Sequence, residues 1–354
     1  MATAERPWLP RVAAMLREAT VTCPLALAMV PTNARDERSR CLVSRELPRW
    51  LYAAPPRDAR GETLEALSSH LSEKPDALAQ LLAARADELA FHTHLAGAVG
   101  TPRFSALATT RRIDASKSLP LATAWAASKP RSEPRQSRGT SGPGLTLESA
   151  LRSRLAALRI DWPVLVRPSL AALAATGEGF VAVAADRLID EETLERTVVH
   201  EVDGHVLPRV EALRRGHVLA GIGSAGGIAA QEGWAILCEE RAGFLTDGRK
   251  RELAWRTIAC ERMHEGATFQ SVSTALEAEA LLERDAAYLL TARLFRGSLG
   301  ARPGFGREAS YLAYYLRIRD HLASHPEDET FFRSAVLAPE ACALLRRAAD
   351  EARA

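Results

Sequence analysis

Over residues 63–71 and 76–95 the apolar positions recur with the three-to-four spacing of an amphipathic helix, and proline and charge clusters separate the periodic stretches. A helical N-terminal region is the expectation. The periodicity then fails over 117–144, KSLPLATAWAASKPRSEPRQSRGTSGPG, a stretch rich in Ser, Pro, Arg and Gly that predicts a long loop or linker. Residues 146–158 are amphipathic again, and 177–186 (GEGFVAVAAD) is a short apolar run bounded by Gly and Asp, the clearest strand in the chain. From Glu191 almost to the end the pattern is helical, and no internal repeat occurs. The expected fold class is mainly α with one small β-sheet (α+β). Residues 1–115 would form a helical region packing on the rest, 116–145 a linker, and 146–354 the part that carries the chemistry.

Composition narrows the classes. The chain has 354 residues, of which 47% are hydrophobic and 25% charged, enough to bury a substantial core. A formal net charge of +2 gives no overall field for nucleic acid or an anionic membrane, so neither is expected as a partner. The N-terminal residues lack the apolar core of a secretion signal, and no later run is long enough to span a bilayer. Five widely spaced cysteines, never in a C-x-x-C pair, argue against a disulfide framework and against a cysteine-built zinc site. A cytoplasmic location is expected.

Candidate chemistry lies in His200-Glu201-Val202-Asp203-Gly204-His205, an H-E-x-x-x-H sequence on a helix expected to start at Asp190. In the shorter H-E-x-x-H pattern, two histidines four apart bind one zinc and the glutamate is the general base. A spacing of five turns the two side chains about 140° apart in a regular helix, against about 40° for a spacing of four. Both histidines can meet one ion only if the turn is rewound. A π-turn, or a loosening at Gly204, would do this, with Pro208 ending the helix soon after. The plain alternative is two unrelated histidines near a helix end.

A second helix, expected over 228–241, puts Ile228, Glu232, Ala235 and Ile236 on one face, so Glu232 interrupts an apolar stripe. A buried carboxylate needs a partner, either an arginine or a metal ion. Joined to His200 and His205, Glu232 completes the His2Glu set of catalytic zinc sites, which leaves one position open for water.

The H-E-x-x-x-H motif followed by Gln231-Glu232-Gly233-Trp234-Ala235 resembles the metallopeptidase family of the microtubule-associated tyrosine carboxypeptidases and their bacterial relatives. Residues 47–52 (LPRWLY), 94–104 (HLAGAVGTPRF) and 293–311 are also similar to family landmarks, so the resemblance runs from about residue 45 to about residue 330. It implies a zincin-like metallopeptidase with zinc on His200, His205 and Glu232, Glu201 as catalytic base, and a peptide or protein C-terminus as substrate. It also implies removal of a C-terminal residue, aromatic and tyrosine-like in the eukaryotic members. Trp234 stands where the family has leucine, and Gly306-Arg307-Glu308 where it has threonine, lysine and aspartate. Arg307 and Arg296 are candidates for holding the terminal carboxylate, and Tyr311 for stabilising the oxyanion. The run 180–185 is a candidate to pair with substrate backbone. The alternatives are an aminopeptidase or endopeptidase, and a non-catalytic binding or regulatory protein on the same scaffold.

Gly221-Ile222-Gly223-Ser224-Ala225-Gly226 fits the dinucleotide fingerprint, but it follows too short an apolar piece and lacks a second strand with its acidic end. Its glycines are expected to bring the backbone close to the metal site. His264-Glu265 reads as a surface pair, and His92, His94, His217, His321 and His325 as structural.

Overall fold

The computed structural model describes residues 6–54, 59–127, 137–142, 144–168, 170 and 172–351. The N-terminal part is helical: α1 (Leu9–Val21), α2 (Leu25–Ala28), α3 (Ala34–Ser44), α4 (Arg60–Ser72), α5 (Ala77–Gly97) and α6 (Pro102–Thr110). Helices α4 and α5 are those the periodicity predicts. Asp76 caps α5, accepting from the amides of Leu78 and Ala79.

The stretch expected as a loop is partly regular. It contains α7 (Leu119–Ala126) and β1 (Ser137–Gly139), while residues 128–136 and 143 lie outside the described residues. Pro120 falls in the first turn of α7, where its missing amide costs nothing, and Ala122 is wholly buried. Docking makes this helix; eight residues, apolar at nearly every position, give little periodic signal by themselves.

Next come α8 (Leu147–Ala157) and the strands β2 (Val164–Arg167), β3 (Ala174–Thr176), β4 (Val181–Ala184) and β5 (Leu188–Asp190). They form two sheets rather than the single one expected. In the first, β1 pairs antiparallel with β5; in the second the order is β2-β4-β3, with β4 parallel to β2 and antiparallel to β3. The predicted strand is therefore central, flanked on both sides and buried at all four residues. Its backbone is committed to neighbours, so it has no edge to offer a substrate, and the edge nearer the chemistry is β3.

From β5 the chain enters α9 (Glu191–Val199), a π-helical segment (His200–Val206) and α10 (Leu207–Arg214). Asp190 caps this run through the amide of Thr193. Val202, Val206 and Val210 share its underside and are buried with Leu147, Leu151 and Leu155 of α8 and with Val181 and Val183 of β4. Each such valine contributes about 2 kcal/mol, which fixes how the run lies on the sheet. The remaining elements are α11 (Gly227–Arg241), α12 (Asp247–His264), α13 (Phe269–Ala278), α14 (Arg284–Leu294), α15 (Ser310–Ser324), α16 (Glu329–Ser334) and α17 (Pro339–Glu351). One core cluster draws on α1, α4, α5 and α17 together, so the two ends of the chain share an interior. No helix among the described residues is long and apolar enough to cross a membrane.

Candidate metal centre

The five-residue histidine spacing is accommodated as the sequence required. Residues 200–206 are wound as a π-helix, whose wider turn brings His200 and His205 to one side, with their ring centroids 5.0 Å apart. Gly204 permits this by close approach rather than by loosening the helix: a Cβ there would lie 2.4 Å from the Ala235 Cβ. The π-segment thus rests directly on α11. Pro208 does not end the helix. It occupies the first turn of α10, where the change from π to α winding leaves an amide dispensable. The His205 carbonyl instead accepts from Arg209 Nη1 at 3.1 Å and from Gln231 Nε2 at 3.4 Å.

Three donor atoms converge. His200 Nε2 and His205 Nε2 are 3.3 Å apart, and Glu232 Oε2 lies 3.5 Å from the first and 3.7 Å from the second. Tetrahedral zinc with ligands at 2.0–2.1 Å keeps its donors about 3.3 Å apart, so the set fits such an ion. These three residues form a group able to hold a metal. A second such group, His321, Asp328 and Cys342, differs in kind: Asp328 Oδ2 already receives His321 Nε2 at 2.7 Å, a hydrogen-bond separation, and the Arg346 guanidinium as well.

Charge accounts for the ionisation of the first group. Burial alone would raise the Glu232 carboxyl, but the His200 and His205 rings and Arg307 outweigh it and hold it well below the usual carboxylate range. Burial would lower His200, yet Glu232 and Glu239 carry it up to about 9. Two imidazoles and a carboxylate packed this way, without an ion, share protons; with an ion, the same lone pairs become ligands.

Glu201, next to His200, is buried, and its Oε2 accepts from Thr176 Oγ1 of β3 at 2.8 Å. The sheet thus orients the candidate base. Tyr311 is brought to the site by α15, which crosses α11 closely because residue 233 is glycine: a Cβ there would lie 2.3 Å from the Tyr314 carbonyl carbon. The Tyr311 ring stacks over His200 at 6.4 Å and 20°. Its hydroxyl accepts from Arg293 Nη2 at 3.2 Å, while the Arg256 guanidinium lies 4.8 Å from its ring centre. Burial, with the Glu232 charge, pushes the phenol up to about 12, so it keeps its proton.

Arg307 is at the site, its Nη2 3.2 Å from Glu232 Oε1 and donating also to the Ile228 carbonyl. Arg296 is not brought to the donors: it bonds the Arg293 carbonyl and lies 3.8 Å from Glu308, which Arg256 and Arg293 also hold.

Sequence reasoning missed Glu239, which is wholly buried and 2.7 Å from His200 Nδ1. The available signal was its place seven residues after Glu232, on the same face of α11. Thr176 and Arg293 were also missed, because nothing local in the sequence marks a partner supplied by a distant element.

The remaining histidines and the glycine run sort differently from expectation in two places. The loop 221–226 does open α11, but it packs on the C-terminal chain rather than the metal donors: Ser224 exchanges hydrogen bonds with Val336 and Ala338. The amide of Gly226 is taken by Glu88 Oε1 at 2.9 Å, so a protein carboxylate fills the anion position. His264 is half-buried rather than superficial, and its Nδ1 has no hydrogen-bond partner among the described residues. His92 and His94 lie on α5, His94 bonding Glu65.

A search of curated proteins returns no match. The family model described as microtubule-associated tyrosine carboxypeptidase does match, over residues 43–332, a span holding all of the converging donors, and the chain belongs to that family.

Proposed function

We propose that this chain is a zinc-dependent carboxypeptidase that removes a C-terminal residue, tyrosine-like in character, from a peptide or protein. The observation that carries the reading is the convergence of His200, His205 and Glu232 beside the buried Glu201. Family membership supports the reaction class. The family is described by tyrosine and microtubules, and for this chain the substrate is a peptide or protein C-terminus of tyrosine-like character.

When bound, zinc would lower the pKa of a water to about 7 and polarise the scissile carbonyl. The chain's own residues do the rest. Glu201, oriented by Thr176, takes a proton from the attacking water and returns it to the leaving amine. The Tyr311 hydroxyl accepts from Arg293, which leaves its own proton to be donated to the developing oxyanion. Arg307 offers Nε and Nη1, which have no hydrogen-bond partner among the described residues, to the terminal carboxylate of the substrate. β3, the edge strand whose Thr176 contacts Glu201, is the place where substrate backbone can pair.

The test is the metal content of the purified chain beside Glu232→Ala, with both assayed by mass spectrometry on peptides with free and amidated C-termini. Stoichiometric zinc in the parent, its loss in the variant, and single-residue trimming of free C-termini alone are expected. A parent without zinc would overturn the metal reading, and cleavage of amidated peptides would overturn the carboxypeptidase.

A further inference from the structure

Glu239 has no exposed surface, and Arg249 engages both of its oxygens, Nε to Oε2 at 2.8 Å and Nη2 to Oε1 at 2.9 Å. That pairing already balances the buried charge. Glu239 nevertheless makes a second, shorter contact, 2.7 Å to Nδ1 of His200. An ionised carboxylate only accepts, so Nδ1 must be the donor. When Nε2 gives up its proton, as metal binding requires, Nδ1 keeps its own and the Nε2 lone pair faces His205 and Glu232.

Arg249 is itself held: its Nη1 lies 2.9 Å from Glu252 on the same helix. From the other side the His200 ring is covered by Tyr311. His200 is therefore constrained at its edge by Glu239 and on its face by the phenol, whereas His205 has no carboxylate at its Nδ1 among the described residues. Two ligands of the same type are oriented by different means, and only one of them depends on a buried acid.

We propose that Glu239 is a positioning residue of the metal centre, which sets the tautomer and ring orientation of His200 and strengthens its Nε2 as a donor. This rests on the metal reading above. Removing an outer-shell carboxylate of this type weakens metal binding by about 10–100-fold.

The test uses the full chain as parent, Glu239→Gln, and the double variant Glu239→Gln with Arg249→Gln, which removes both charges of the buried pair and leaves Arg196, 3.9 Å from Glu239, its other partner Glu252. Each is stripped of metal, checked for its fold by circular dichroism, and titrated with zinc against a chromogenic chelator; cobalt(II) absorption spectra are recorded in parallel. Both variants are expected to keep the fold, to bind zinc about 10–100-fold more weakly than the parent, and to show displaced cobalt bands. A purely structural Glu239 would give folded variants with parental zinc affinity and cobalt spectrum, and that result overturns the proposal while leaving the metal site standing. A parent that takes up no zinc overturns the metal reading itself, and the role of Glu239 with it.

Discussion

Gly204 on the π-segment faces Ala235 on α11 so closely that a Cβ on the glycine would sit 2.4 Å from the alanine Cβ and 2.7 Å from its Cα. The contact joins the segment that carries the histidine pair to the helix that carries Glu232. In Gly204→Ala the two helices must separate, and overpacking of this kind costs about 1–3 kcal/mol. The expected outcome is a lower melting temperature together with weaker zinc binding. A variant that melts and binds like the parent would show that the helix contact does not position the donors.

Glu232 is one of the converging donors, whereas Glu201, next to His200 in the chain, is bonded to Thr176, so their proposed roles can be separated. Glu201→Gln keeps shape and the Thr176 contact but cannot take a proton, so zinc content should stay at the parental level while kcat falls by about 100- to 10,000-fold. Loss of zinc in this variant would place Glu201 among the ligands instead.

Arg307 separates binding from chemistry in a different way. Arg307→Met removes the guanidinium from Glu232 and from the proposed carboxylate position, so KM for peptides with free C-termini should rise by about 10-fold or more, with a smaller change in kcat. Arg296→Met, whose parent side chain is tied to the Arg293 carbonyl, should change KM less. The reverse order would move the carboxylate site to Arg296.

A pH effect is expected away from the metal donors, at His92. Burial pushes this ring down to about 4, with further lowering from Arg85 and Arg307 against the opposing Glu88. The folded ring stays neutral while the unfolded one gains a proton as pH falls through about 6.5. Stability attributable to His92 is therefore complete above about pH 6.5 and is lost progressively towards pH 4. Urea unfolding at pH 7.5 and pH 5.0 should show a smaller drop in His92→Gln than in the parent. Equal drops would mean that the ring is protonated in the folded chain.

Much of this arrangement is legible in the amino-acid order because its cause is local. Asp190 and Asp76 cap helices where the periodicity begins, and the valine stripe of the His200 run marks which face is buried. The five-residue spacing demanded a rewound turn, and the π-segment supplies it. Glu232 betrayed itself by breaking an apolar stripe. The sheets were less legible: strands of three or four residues carry hardly one period, and β1 pairs with β5 across 48 or more intervening positions. Helix α7 escaped notice because its stability comes from what it docks against.

Residue identity and spacing along one or two helices were enough to mark the candidate donors, the candidate base beside them, the helical character of the chain and its resemblance to a carboxypeptidase family. That Thr176 holds Glu201, that Glu239 backs His200, that Arg307 rather than Arg296 reaches Glu232, and that the glycine-rich loop serves the C-terminal chain came from the folded packing alone. Those pairings join elements far apart in sequence, where hydrogen bonds and ion pairs are chosen by packing, and no local periodicity encodes the partner.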